Sequence, residues 1–376
     1  MSGKVEVCIR GAGIVGGSLA LALARQGLRV ELVGPLAAPA AAGAADVRAY
    51  ALNAASVGLL QALRVWDALP ADAATPVRRM QIEGDEAGAR LAFSAWQQRV
   101  GELAWIVDAA ALEAALAEAL RYAPHVERRA EARPGPAPAL TAVCEGRASA
   151  SRDALGVPMA QHDYGHRAIA ARLVADRPHQ GTARQWFRAP DVLALLPFDR
   201  PQPGRSYGLV WSLPDAEAAA LLALDEAAFV ERLQAACGEA AGGLALASPR
   251  QSWPLSLARA ERWCGEGWVL LGDAAHRVHP LAGQGLNLGL ADVEALARVL
   301  AGREPWRSPG DARLLRRFAR ERSGPTRAMA GVTDGLLQLF AHPHPAVRLL
   351  RNQGLRWVDR LGPAKRWLAD QALDGR

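Results

Sequence analysis

The chain has 376 residues, 51% of them hydrophobic, and 44 Lys and Arg against 38 Asp and Glu give a net charge of +6. No uninterrupted apolar run reaches the ~18 residues of a membrane span, and "MSGK" leads straight into an apolar strand without a secretory-signal pattern, so a cytoplasmic protein is expected. The basic residues are nearly all Arg and are spread along the chain with no nucleic-acid motif, which excludes nucleic acid as the expected partner.

In chain order, Val5 to Arg10 is a short β-rich run, followed by Gly11-Ala12-Gly13-Ile14-Val15-Gly16 and a helical pattern, "GSLALALARQG", that stops at Gly27. "LRVELV" is the next strand. This is the context of a dinucleotide site. Gly11 permits the tight turn, Gly13 lets the backbone approach a pyrophosphate, and Gly16 lets helix and strand pack closely. The helix start would face the phosphates with unpaired N–H groups. The motif does not separate NAD, NADP and FAD. The acid that would hold a ribose, roughly 20 residues further on, falls at Gly34, and Glu31 lies inside the strand, pointing elsewhere.

"DVRAYALNAASVGLLQALRVWDAL", Asp46 to Leu69, carries Arg48 ahead of an apolar helix; a planar, permanently charged fork suits a pyrophosphate. "HVERRAEARPGPAPALTAV" is short and Pro-rich, as in a trimmed hairpin, and "CEGRASASR", Cys144 to Arg152, follows it. Trp268 to Leu271 is an apolar strand broken at Gly272-Asp273. A loop with His279-Pro280 comes next, then Gly283-Gln284-Gly285, then a helix with apolar positions at Leu286, Leu290, Val293, Leu296 and Leu300 and a polar Asn287 in its first turn. Helix starts offer N–H groups to electron-rich partners. Val332, Leu336, Leu339 and Phe340 have helical spacing and predict core packing. Cys8, Cys144, Cys237 and Cys264 form no C-x-x-C pair, so separate buried thiols are expected, with no disulfide and no zinc. His276 and His279 lack further matched ligands; they are read as fixing their loop, and His162 and His166 as structural.

The stretch "GWVLLGDAAHRVHPLAGQGLNLGLADVEALARVL" resembles the flavoprotein aromatic hydroxylases, the FAD monooxygenases of the para-hydroxybenzoate hydroxylase type. The resemblance implies that Asp273 binds the ribityl chain and that Pro280, Gly283, Gly285, Leu286 and Asn287 border the isoalloxazine. "CEGRASASR" resembles the family's Asp-Gly-x-x-Ser-x-x-Arg segment, which serves FAD and NAD(P)H, with Glu145 in place of Asp. The family also carries an arginine close to FAD at the position of Arg48 and often a polar residue near the flavin at that of Asp108.

"LALLPFDRPQPGRSYGLVWSLP", "SWPLSLARAERW" and a C-terminal stretch containing "RNQGL" narrow the likeness to the ubiquinone-biosynthesis hydroxylases, and it runs over nearly the whole chain. The implied fold is α/β: a Rossmann-like FAD-binding domain (1–74, 100–155 and 256–304) interleaved with a β-sheet substrate domain (75–99 and 156–255), then C-terminal helices (305–376). The implied activity is hydroxylation of a polyprenylated phenol, with FAD as cofactor and NAD(P)H and O₂ as co-substrates. A second Rossmann fingerprint is missing, consistent with a transient NAD(P)H site. No catalytic side chain is singled out. A polyprenyl tail implies contact with a membrane surface, for which the basic, Trp-containing "RLLRNQGLRWVDRLGPAKRWLADQ" is one candidate and an ordinary packing helix the other reading.

Two other readings stay open at this stage. A non-catalytic relative in a quinone-biosynthesis complex would be favoured by Gly34, Glu145 and the shortened Pro-rich segment. An NAD-dependent dehydrogenase explains the first motif but not Asp273 and its loop. If FAD is bound, loss of the ribose acid predicts binding about ten- to a hundredfold looser, because a hydrogen bond to a charged partner contributes about 1.5–3 kcal/mol.

Overall fold

The structure, a computed structural model, describes residues 5–35, 46–84, 89–278 and 284–341, with side chains described at all of these except 284, 332–334 and 336–341. The chain opens with β1 (Val7–Arg10), α1 (Ile14–Ala24) and β2 (Val30–Val33). Every residue of α1 except Val15 is buried, as expected of a helix that is apolar on all sides. It is wedged between the sheet and two later helices. β3 (Ala49–Leu52) leads into α2 (Ala54–Ala62), whose cap, Asn53, accepts from the Ser56 N–H at 2.9 Å. Then come β4 (Ala74–Val77), β5 (Arg79–Glu83), β6 (Arg90–Ser94), α3 (Ala95–Gln98), β7 (Ala104–Asp108) and α4 (Ala109–Arg121). β8 (Val126–Arg129) and β9 (Leu140–Val143) flank the Pro-rich segment, which carries no strand of its own, and α5 (Ala150–Ala154) follows.

The middle of the chain is mostly strand. β10 (Met159–Ala175), β11 (Thr182–Arg188), β12 (Asp191–Phe198) and β13 (Ser206–Pro214) precede α6 (Asp215–Ala223) and α7 (Glu226–Cys237). β14 (Leu244–Leu246) and β15 (Gln251–Ala260) close this part. The chain then returns through β16 (Cys264–Gly265), β17 (Trp268–Leu270) and β18 (His276–Arg277) to α8 (Gln284–Ala301) and α9 (Ala312–Ala341).

Two large sheets result. A six-stranded sheet runs β16-β17-β9-β1-β2-β8, parallel except at β16, with β1 between β2 and β9. The larger sheet runs β18-β15-β10-β13-β12-β11-β5-β6, with β14 paired to β10, and is antiparallel except where β5 meets β11. A separate three-stranded sheet, β3-β7-β4, packs against the larger one, with Val77 and Ile106 against Ala183 and Phe198.

Strand alternation gives the larger sheet two faces. Ile169, Leu193, Leu195, Tyr207 and Trp211 pack with Phe229 and Leu233 of α7 into one core. The intervening residues, among them Ala168, Ala170, Ala194, Gly208 and Val210, line a cavity instead. These are small side chains. They leave room on the side facing the nucleotide half.

Candidate cofactor and substrate site

The cavity has a volume of about 520 Å³ and runs from the glycine turn to the open face of the larger sheet, within the size range of small-molecule sites. Gly13, Ile14 and Val15 line one end, Asp273, Gly285 and Leu286 the middle, and Val192, Ala194 and Val210 the far wall.

The glycine turn has the geometry expected of it. Gly11 has φ +106°, and a Cβ there would lie 2.3 Å from the Cys144 carbonyl oxygen; one on Gly16 would lie 1.9 Å from the Gly11 carbonyl oxygen. A Cβ on Gly13 would meet nothing within 4 Å. Close packing therefore excludes side chains at 11 and 16, while 13 is open to an incoming group. The α1 start has no side-chain cap and no acid in its first turn, which leaves its N–H groups and positive dipole end for an anion.

Asp273 follows Gly272, which turns at φ +57°. Its carboxylate is accessible from the cavity while protein surrounds it, and among the described residues nothing donates a hydrogen bond to it. Burial pushes its pKa up, against the pull of His276, Arg277 and Arg147. Arg147 and Arg277 line the same cavity, and the Arg277 Nε is buried with no partner among the described residues. An unpartnered acceptor, an open helix start and two cations around one cavity fit a phosphate-containing dinucleotide with a hydroxylated chain.

Other expected ligands bond to groups within the protein. The Asn287 side chain does not line the cavity. It accepts from the Asn53 N–H at 3.1 Å and the Ser56 hydroxyl at 2.8 Å, and donates to the Ala51 carbonyl at 2.8 Å, tying α8 to β3 and α2. Glu145 accepts from the Ser149 hydroxyl at 2.8 Å, the Ser151 N–H at 2.9 Å and the Ser151 hydroxyl at 2.7 Å. Burial would raise its pKa, but these bonds from Ser151 and Ser149 hold it low. The extra methylene relative to Asp thus goes into holding the start of α5. Arg48 lines the cavity with its guanidinium shared between Asp46 at 2.7 Å and Glu113 at 3.0 Å. Asp108, expected beside the flavin, caps α4 through the Ala111 N–H at 2.8 Å and pairs with Arg172 at 3.2 Å, outside this cavity lining. Pro280 and Gly283 lie outside the described residues, as do His279 and the side chains of Val332, Leu336, Leu339 and Phe340.

Sequence reading missed Asp292 and Arg322. Asp292 on α8 is fully buried. It accepts from the Gly272 N–H at 3.0 Å, from His276 Nε2 at 2.6 Å and from Arg322 Nε of α9 at 2.8 Å. Burial alone would raise its pKa; the His276 and Arg322 contacts outweigh that and lower it. His276 also stacks on Trp263, with ring centroids 4.9 Å apart, so it fixes the turn that presents Asp273. A signal was available: Asp292 lies four residues from both Leu288 and Leu296, on the apolar face of its helix. The four cysteines are free; Cys8, Cys144 and Cys237 are buried and Cys264 is half-buried. No group of three or more metal-ligand side chains occurs among the described residues.

The Rossmann-type sheet, its glycine turn and the cavity shared with an antiparallel sheet define an FAD-binding flavoprotein of the para-hydroxybenzoate hydroxylase type. The FAD binding domain family matches residues 4–134 and 123–331. Over 394 residues the chain is 31% identical to the ubiquinone hydroxylase UbiL of Rhodospirillum rubrum, covering 98% of this chain and 89% of that one. It is 32% identical over 405 residues to the 3-demethoxyubiquinol 3-hydroxylase of Escherichia coli, with 98% of each covered. Among solved structures, PqsL of P. aeruginosa in complex with 2-aminobenzoylacetate superposes with a TM-score of 0.75 at 21% identity, covering 94% of this chain and 99% of that one. The chain belongs to the FAD-dependent aromatic-ring monooxygenases.

Proposed function

We propose that the protein hydroxylates the ring of a polyprenylated phenol in ubiquinone biosynthesis, using FAD with NAD(P)H and O₂. The observation that carries this reading is one continuous cavity, from the glycine turn past Asp273 to the small-residue face of the larger sheet. Its far wall of Ala, Gly, Val and Leu suits a flat ring with an apolar tail, and Ser212 supplies a hydroxyl for a ring substituent. The names of the Rhodospirillum rubrum and Escherichia coli relatives support the pathway.

FAD, when bound, supplies the redox and oxygen chemistry, and the protein supplies binding, orientation and electrostatics. Gly11, Gly13 and Gly16 with the α1 start would take the pyrophosphate, and Asp273 would accept from the ribityl hydroxyls. The backbone at Gly285 and Leu286 would donate to the electron-rich edge of the ring system. Arg147 and Arg277, which line the cavity, would add positive potential for an electron-rich group held there. The apolar wall would exclude water and hold the substrate ring. In this reading the FAD-binding unit is 1–74, 100–155 and 256–304, and the substrate unit is 75–99 and 156–255. A polyprenyl tail further implies a membrane surface and other quinone-biosynthesis proteins as partners.

Purified protein should be yellow and should oxidise NAD(P)H faster when a phenolic substrate is added, with a hydroxylated product seen by mass spectrometry. Colourless protein that takes up no added FAD would sink this reading.

A further inference from the structure

The ribose acid missing at residue 34 leaves the adenosine half of the dinucleotide without its usual acceptor. A second cavity, of about 380 Å³, opens where that half would lie, at the ends of β1, β2 and β8; Arg10, Gly34, Pro35, Glu131 and Glu145 line it. Position 34 is closed to a side chain, since a Cβ there would lie 2.8 Å from the Ala12 backbone nitrogen and 3.0 Å from the Ala12 Cβ.

Three other acids lie close enough to consider. Glu31 is buried beneath the strand ends, accepts from the Arg133 N–H at 3.2 Å and pairs with Arg129 at 3.8 Å. Glu145 has both carboxylate oxygens taken by Ser149 and Ser151. Glu131 is exposed, lines the cavity and has no hydrogen bond or ion pair among the described residues. Residues 36–45, outside the described part, read "LAAPAAAGAA" and contain no charged side chain that would compete for it.

Sheet register brings Glu131 to the right place. β2 and β8 are parallel, with Val33 opposite Arg129, and the Gly34 N–H donates to the Arg129 carbonyl at 3.0 Å. Glu131 leaves the sheet two residues later, beside Gly34 and Pro35. Adjacent strands are about 4.8 Å apart, a gap that a glutamate side chain spans.

We propose that Glu131, from the end of β8, accepts the adenosine ribose hydroxyls in place of an acid at residue 34, so that the second cavity selects FAD over flavins lacking the adenosine half. This rests on the FAD site proposed above. It also replaces the expectation of loosened FAD with one of FAD held from a neighbouring strand.

The test is flavin titration of the full-length apoprotein, wild type against Glu131→Gln, with FAD and with FMN, which lacks adenosine. Loss of the charged acceptor should weaken FAD about ten- to a hundredfold, with FMN affinity and apoprotein melting temperature unchanged. Equal FAD affinity in the two proteins overturns the inference alone, as does a parallel loss for FAD and FMN. Wild-type protein that takes up neither flavin overturns both the inference and the FAD site beneath it.

Discussion

Asp273, surrounded by protein but open to the cavity, and the fully buried Asp292 shift in opposite directions. Asp273 has no hydrogen-bond donor among the described residues and its pKa is raised; Asp292 has three donors and its pKa is lowered. The consequences for stability have opposite signs. With Asp273 raised, folding is disfavoured progressively as pH climbs through its unfolded value, near 3.8, and the penalty is complete above its folded value. Asp273→Asn apoprotein should therefore be more stable than wild type at neutral pH, lose that advantage below about pH 3.8, and bind FAD more weakly. Denaturant titrations at the two pH values and a flavin titration check this; equal stability at neutral pH would count against it. With Asp292 lowered, its contribution is present above the unfolded value and is lost as pH falls through the folded one. Asp292→Asn leaves the Arg322 charge buried without its partner, at a cost of about 3–5 kcal/mol. Urea unfolding should show that loss at neutral pH and a flatter acid limb. An unchanged midpoint would show that the network contributes little.

α8 is the element through which distant segments act on the cavity. Its first turn lines the cavity at Gly285 and Leu286, Asn287 bonds to β3 and α2, and Asp292 reaches the Gly272 turn and α9. A Cβ on Gly289 would lie 2.7 Å from the Val15 Cγ2, so α8 and α1 start in close register. Asn287→Ala removes three hydrogen bonds and leaves the Asn53 N–H and Ala51 carbonyl in search of partners, which should cost about 1–3 kcal/mol. FAD affinity should fall with it, although the side chain faces away from the cavity; a stability loss with unchanged FAD binding would mean that the helix start does not depend on this tie. The strand–turn–helix units around α1 and α8 were legible because period, glycine spacing and apolar runs are local signals. Where Asn287 and Glu145 spend their polar atoms was not. Each choice depends on donors supplied by other segments or by the local turn geometry.

At the scale of the whole molecule, the cavity draws its lining from the glycine turn and the Gly272-Asp273 turn of the nucleotide half and from the open face of the larger sheet. Among the described residues no helix is long and apolar enough to cross a membrane, and the proposed polyprenylated substrate is a reason to test docking at a lipid surface. If the protein docks there, binding to anionic vesicles should occur at low salt and fall as salt is added, as screening predicts; absence of binding at every salt concentration would remove that contact. Glycine spacing, the Gly272-Asp273 break and the apolar period of α8 determined, from sequence alone, that a nucleotide fold is present, while the flavin followed from the resemblance of the Gly272-Asp273 segment to the FAD-dependent hydroxylases. These patterns follow from backbone sterics and from the burial of one helix face. Only the tertiary structure decided which polar groups are left over for a ligand. It closed residue 34 against Ala12, spent Glu145 on α5, buried Asp292 among His276, Arg322 and Gly272, and left Asp273 and Glu131 facing cavities. A side chain's availability is what remains after its neighbours have bonded to it, and those neighbours come from across the chain.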